Sequence, residues 1–136
     1  MVNASEIVAL IFLWCKQNGV RITNARLQKL LYLIQLEYAK ENKKCLISEA
    51  FCCWQFGPVI PSIYYTYQIY GSEEIPATVD PTTVNVEYAV FVSKVLEKYG
   101  RLYTGELIAL CHDSEPFKYI THMFGHDTYI PESCYY

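Results

Sequence analysis

Long apolar runs, glycine-rich loops and concentrated positive charge are all scarce in this chain, and each scarcity removes a class of function. Its longest apolar stretch near the start, Ile7 to Trp14, is too short to span a bilayer. It follows Glu6, with neither a basic region ahead of it nor a small-residue cleavage site behind it, so no secretory leader is expected. The six glycines are scattered, and no Walker-type or dinucleotide fingerprint occurs, which removes phosphate-cradling loops. The net charge is −3, and the one local basic group, Lys40, Lys43 and Lys44, is broken by Glu41. That group falls where a helix is expected to end, and cations there complement the helix dipole. A protein that grips nucleic acid ordinarily presents a basic stripe, so no direct nucleic-acid partner is expected.

What is present is apolar and aromatic. Over 136 residues, 52% are hydrophobic and 18% charged, the balance of one folded unit and not of a disordered chain. The six cysteines, Cys15, Cys45, Cys52, Cys53, Cys111 and Cys134, are read as reduced thiols, most of them acting as small core hydrophobes, and the protein as cytoplasmic. Thirteen tyrosines are more than a helical core of this size uses, and tyrosine is a preferred residue of binding surfaces.

Helix punctuation is clear along most of the chain. Asn3 and Glu6 have capping-box spacing ahead of Ile7, Leu10, Ile11 and Trp14, and Gly19 suits a left-handed stop. Thr23 is a fitting cap for a second helix ending near Glu41 or Asn42. Its stripe is Leu27, Leu30, Leu31, Ile34 and Tyr38, with Arg26, Lys29 and Glu37 outside it. Cys45 to Phe56 is ordered and largely buried without a clear period, and Gly57-Pro58 breaks the chain. Pro61 opens a helix running through Tyr70 to a stop at Gly71, and a loop from Ser72 to Thr83 follows. A helix is predicted over Val84 to Tyr99 with Gly100 as its cap, then shorter ones from Thr104 to Cys111 or His112 and from Pro116 to Phe124. Pro131 begins a last short piece. The expected fold is all-α, a single compact bundle of about five to seven helices.

Catalytic or metal-binding chemistry finds little support. His122 and His126 have H-x₃-H spacing, but Gly125 and Asp127 beside them indicate a turn. Cys52 and Cys53 are adjacent and point apart. Cys111 and His112 are neighbours about 100° apart around a helix, a poor geometry for a thiol and its base. No catalytic residue, metal site or cofactor is predicted.

Three segments carry a family resemblance. Ile22-Thr23-Asn24-Ala25-Arg26-Leu27-Gln28-Lys29-Leu30-Leu31-Tyr32 resembles the "ITN-x-x-LQKLLYF" stretch of the Panacea domain family of SocA-like and GepA-like antitoxins, some of them phage-associated. Trp54-Gln55-Phe56-Gly57-Pro58-Val59-Ile60-Pro61 is similar to its "W-x-x-GPV-x-P" motif, followed by Tyr64, Tyr67 and Tyr70-Gly71 as in "VY-x-x-Y-x-x-YG". Val95 to Gly100, Thr104 to Leu107 and Cys111-His112 resemble a third, looser pattern, and Glu115-Pro116-Phe117 departs from the family's "SPW". The resemblance implies a Panacea-like domain over residues 1–125, with 126–136 as a short extension packed on it or trailing from it.

It also implies a role, that of a non-enzymatic antitoxin which neutralises a toxin, encoded by a neighbouring gene, through direct protein contact. One alternative is an adaptor delivering that toxin to a protease. Another is a small Cys/His metal protein or thiol enzyme using Cys111, His112, His122 or His126. Self-association is left open. The motif residues Thr23, Asn24, Leu27, Gln28, Lys29, Leu30, Tyr32, Gly57, Pro58 and Gly71 are read as scaffold. The candidate partner-binding residues are Trp54, Phe56, Tyr64, Tyr65, Tyr67, Tyr70 and Tyr103, with Tyr135 and Tyr136 at the chain's end as a second aromatic group.

Overall fold

The computed structural model describes residues 1–136. Helix α1 (Ala4–Asn18) starts where the Asn3 backbone N–H donates to the Glu6 carboxylate at 3.2 Å, and it stops at Gly19, whose φ of 66° is left-handed. Helix α2 (Asn24–Asn42) begins under the Thr23 hydroxyl, which accepts the Arg26 N–H at 3.3 Å. Twelve of its nineteen residues are buried, so α2 is wrapped on nearly every side. It packs against α1, α3 (Pro61–Tyr67), α4 (Ala89–Tyr99) and α5 (Thr104–His112), and the core is built around Leu27, Leu30, Leu31 and Ile34. Helix α6 (Glu115–Phe124) closes the bundle beside α5.

The expectation of an all-α fold is corrected by a small antiparallel sheet in the order β2-β1-β3, with β1 at Cys52–Trp54, β2 at Gly57–Val59 and β3 at Thr128–Tyr129. Trp54 pairs with Gly57 across a two-residue turn, Gln55-Phe56, and Gly57 at φ 120° takes a conformation that a side chain disfavours. The third strand arrives from the end of the chain and pairs Cys52 with Tyr129 and Cys53 with Thr128. Strands of two or three residues are too short to display a two-residue period. Beyond β3, Ile130 and Tyr135 are buried in the common core.

A side chain of α2 organises the segment that leads into the sheet. The Gln35 carbonyl accepts the backbone N–H groups of Leu46 at 3.0 Å and Ile47 at 2.8 Å, while its amide donates to the Ile47 carbonyl at 3.1 Å. Three backbone groups of a buried, irregular stretch are thereby satisfied without a ladder.

Two helix boundaries differ from expectation. The helix predicted from Val84 begins at Ala89, because the Asn85 side chain accepts the Glu87 N–H at 2.9 Å and winds Val86–Tyr88 into a 3₁₀ turn first. The helix predicted from Pro61 through Tyr70 is α-helical only to Tyr67 and finishes as a 3₁₀ turn over Gln68–Tyr70. Gly100 caps α4 as expected, its N–H donating to the Leu96 carbonyl, with a right-handed φ of −63° that any residue adopts. Its small size answers a different need: a Cβ there would sit 2.6 Å from the Trp14 ring and 2.5 Å from the Leu96 carbonyl. No helix is long and apolar enough to cross a membrane. All six cysteines are free, and five are buried.

Candidate functional site

The first two motif segments meet. The first turns of α2 carry Asn24, Gln28 and Lys29 on the side that faces the β1–β2 hairpin and α3, and all three are buried, at 3%, 1% and 3% exposure. The Gln28 carbonyl accepts the Ile60 N–H at 2.9 Å, and its amide donates to the Asn24 carbonyl oxygen at 3.1 Å. Asn24 in turn donates to the Tyr64 carbonyl at 3.0 Å. The Lys29 ammonium donates to the Pro58 carbonyl at 3.1 Å. This polar row ties the hairpin and the start of α3 to the central helix, and Ile60, the cap residue of α3, receives its bond from it.

Lys29 was expected outside the apolar stripe of α2 and is instead enclosed. Its stem lies against Gly57, where a Cβ would meet the Lys29 Cε at 2.9 Å and Nζ at 3.1 Å. Burial pushes its ammonium down to about 8, partly countered by the nearby Cys111 thiol. Gly57 is therefore called for by its backbone angle, and a side chain there would in addition push the Lys29 terminus aside.

Above the polar row opens a cleft of about 370 Å³, lined by Asn24, Gln28, Lys29, Trp54, Phe56, Val59, Tyr64, Gln68, Ser72 and Ile108 among others. Trp54, Tyr64 and Tyr65 form one aromatic cluster, with ring centroids 4.9 Å (Trp54–Tyr64), 6.0 Å (Trp54–Tyr65) and 5.6 Å (Tyr64–Tyr65) apart. Phe56, at the hairpin tip, is 69% exposed and Tyr65 is 59% exposed, large values for side chains that favour burial. Neighbouring Ile69 is exposed as well.

The other aromatic candidates go elsewhere. Tyr67 turns inward and meets Phe12 edge-to-face at 5.5 Å. Tyr70 is half-buried against the core. Tyr103 is exposed at the start of α5 and lines a second cleft with Arg26 and Arg101; Ser72 borders both clefts. At the chain's end Tyr135 is buried and Tyr136 is exposed. The remaining motif positions are internal. Leu27 and Leu30 are in the core, and Tyr32 is fully buried, with its hydroxyl 2.6 Å from the Ser114 hydroxyl and its ring edge-on to Phe51 at 5.4 Å. Gly71 turns the chain at φ 57°.

Gln68, Ser72 and Ile108 were not anticipated as cleft residues. A signal existed for the polar part: Asn24 and Gln28 are four residues apart and so share one face at the start of the helix. Arg26 was also unanticipated as an anchor; its guanidinium donates to the Leu102 carbonyl at 2.6 Å and to the Gly100 carbonyl, joining α2 to the turn before α5.

The cleft lining holds no carboxylate, imidazole or thiol. Cys111, outside it, is pushed up to about 12 by burial, the reverse of what a nucleophilic thiol needs. His112 stacks flat on Phe117 at 5.0 Å, half-buried, while His122 and His126 are exposed. No three His, Cys, Asp or Glu side chains converge as metal ligands would. What the arrangement offers chemically is recognition, through amide and ammonium donors beneath a rim of aromatic faces.

A helical domain with such a face is one of a described class. The model of a family described as "Antitoxin SocA-like, Panacea domain" matches residues 27–118, the greater part of the chain, and the chain belongs to that family. It is similar to Antitoxin SocA of Caulobacter vibrioides (strain NA1000 / CB15N), at 26% identity over 125 residues, covering 83% of this chain. The same alignment takes in 66% of that relative, so this chain spans slightly less than two thirds of its length. No solved structure matches.

Proposed function

We propose that this chain is an antitoxin that neutralises a toxin, encoded by a neighbouring gene, by docking on it through the rim of the cleft. Trp54, Phe56, Tyr64 and Tyr65 make the docking surface, and Tyr103 extends it past Ser72. The observation that carries the reading is the convergence of two family motifs on one cleft whose rim exposes large aromatic side chains. Aromatic residues beside a pocket, set on rigid helix and hairpin ends, are the usual form of an interface hot spot. Tyr67 and Tyr70 belong to the support beneath that surface. The mechanism is occlusion, without catalysis, metal or cofactor, in the cytoplasm and without direct contact to nucleic acid.

Coexpression tests it. The neighbouring protein expressed alone should arrest growth, and this chain should restore growth and copurify with it at unchanged toxin half-life. A harmless neighbour, or protection without a complex, overturns the proposal. Protection accompanied by a shortened toxin half-life assigns the protease-adaptor role instead.

A further inference from the structure

Lys29 is a cation without an anion. The ion pairs of the molecule are made by Arg21, Lys98, Arg101 and Lys118, all on the surface, and none includes Lys29. At 3% exposure its ammonium has one hydrogen-bond partner, the Pro58 carbonyl, where an ammonium offers three donors. Beside it, the Asn24 and Gln28 side-chain nitrogens each donate one bond and keep a second N–H unused. The cleft above is lined by apolar and neutral groups with no acidic side chain. Burying an unpaired charge is costly. A donor-rich, acceptor-poor floor under apolar walls is thus complementary to something outside the chain.

We propose that the cleft takes a single carboxylate of the partner protein, an acidic side chain or a chain end, seated on the Lys29 ammonium with the Asn24 and Gln28 amides beside it. The charge balance selects a carboxylate over a phosphate, since the cleft holds one cation and Arg26, the nearest other on α2, is committed to two backbone carbonyls. The walls formed by Trp54, Tyr64 and Val59 take the apolar stem that carries it. The inference rests on the antitoxin reading for the identity of the occupant, but the site itself is testable without any partner.

Four small probes are titrated into the labelled protein: N-acetyl-phenylalanine (a chain-end carboxylate), N-acetyl-glutamate α-amide (a side-chain carboxylate), N-acetyl-phenylalanine amide (neutral), and phenyl phosphate. The readouts are the indole N–H of Trp54, one of two tryptophans, and the side-chain signals of Lys29. One of the two carboxylates should bind at least ten times more tightly than the neutral amide and raise the Lys29 titration midpoint, and the stronger of the two identifies the source. Lys29→Met, and Lys29→Gln which keeps a donor for Pro58, should remain folded with a cooperative melt and lose that preference. Equal binding of acid and amide, no binding of either acid, or an undiminished preference in both variants overturns the site. A tenfold preference for phenyl phosphate replaces the carboxylate with a phosphorylated ligand and overturns the proposal as stated. In coexpression, equal protection by wild type and Lys29→Met removes the cleft from recognition while leaving the antitoxin reading intact. A carboxylate that binds while the neighbouring protein does not leaves the site standing and removes the partner reading.

Discussion

Replacing Gln28 with leucine tests whether the polar row holds the recognition surface in place. Leucine has nearly the volume of glutamine, so packing is largely kept while both of its hydrogen bonds disappear. Two buried groups then lose their partners: the Ile60 N–H at 2.9 Å and the Asn24 carbonyl oxygen at 3.1 Å. Neither regains water, since Ile60 is 1% and Asn24 3% exposed. An orphaned buried donor or acceptor costs about 1–3 kcal/mol, and the added apolar burial of leucine returns part of that, leaving roughly 2–4 kcal/mol. For a chain of this size the melting temperature should fall by roughly 10 °C. Thermal unfolding followed by circular dichroism, with calorimetry to establish two-state behaviour, gives the number. Asn24→Ala should fall by a comparable amount, and the double variant by less than the sum, because the two amides share one network. A shift of under about 2 °C for Gln28→Leu, or strict additivity in the cycle, would refute the claim that this row fastens the hairpin and α3 to α2.

Three further outcomes follow from the same geometry. Gly57→Ala forces a side chain into φ 120° and against the Lys29 terminus at 2.9 Å, so it should lower stability by about 2 kcal/mol in urea titration; an unchanged midpoint contradicts the need for glycine there. Glu37 is opposed by burial, but hydrogen bonds from the Tyr99 hydroxyl (2.8 Å) and Lys98 (3.3 Å) prevail and hold its carboxyl below the ordinary range. Its contribution is therefore full above the unfolded value near 4.3 and is lost as pH falls through the lower folded value, so a gap of about 1 kcal/mol between wild type and Glu37→Gln at pH 7 should close by pH 3. A gap independent of pH would contradict the assignment. Among the cysteines, iodoacetamide at pH 7.5 should label half-buried Cys134 first, because burial pushes Cys15 and Cys45 up to about 11 and Cys53 and Cys111 up to about 12; peptide mass spectrometry showing uniform labelling would contradict that order.

The elements that could be read from the chain are those whose boundaries are set locally. Asn3 with Glu6, Gly19 and Thr23 act within one turn of themselves, so α1 begins and ends, and α2 begins, where those residues place them. The hairpin was hidden because its strands are three residues long, and the third strand because it pairs residues 52–53 with 128–129, a contact that no window along the chain contains. Asn85 has the chemistry of a local cap, but the apolar pattern around it runs on through Val84 and masks the 3₁₀ turn. At the candidate site the aromatic content was legible and its division was not. Tyr64 and Tyr65 turn towards Trp54, whereas Tyr67 is drawn inward by Phe12 of α1, 55 residues away along the chain. Lys29 shows the same limit, since a lysine in a helical pattern reads as solvated until Gly57 is seen to lie over its stem.

The measurement that bears most directly on the proposed function is the affinity of the purified pair, this chain and its neighbour-encoded toxin, for wild type, Phe56→Ala and Tyr65→Ala. Both side chains are mostly exposed in the free protein, so their removal should leave the melting temperature within about 2 °C of wild type. If the cleft rim is the docking surface, each truncation should weaken binding by at least about tenfold, as loss of an interface anchor does. Affinities indistinguishable from wild type in both variants, with the complex intact, would place the interface on another face and contradict the account.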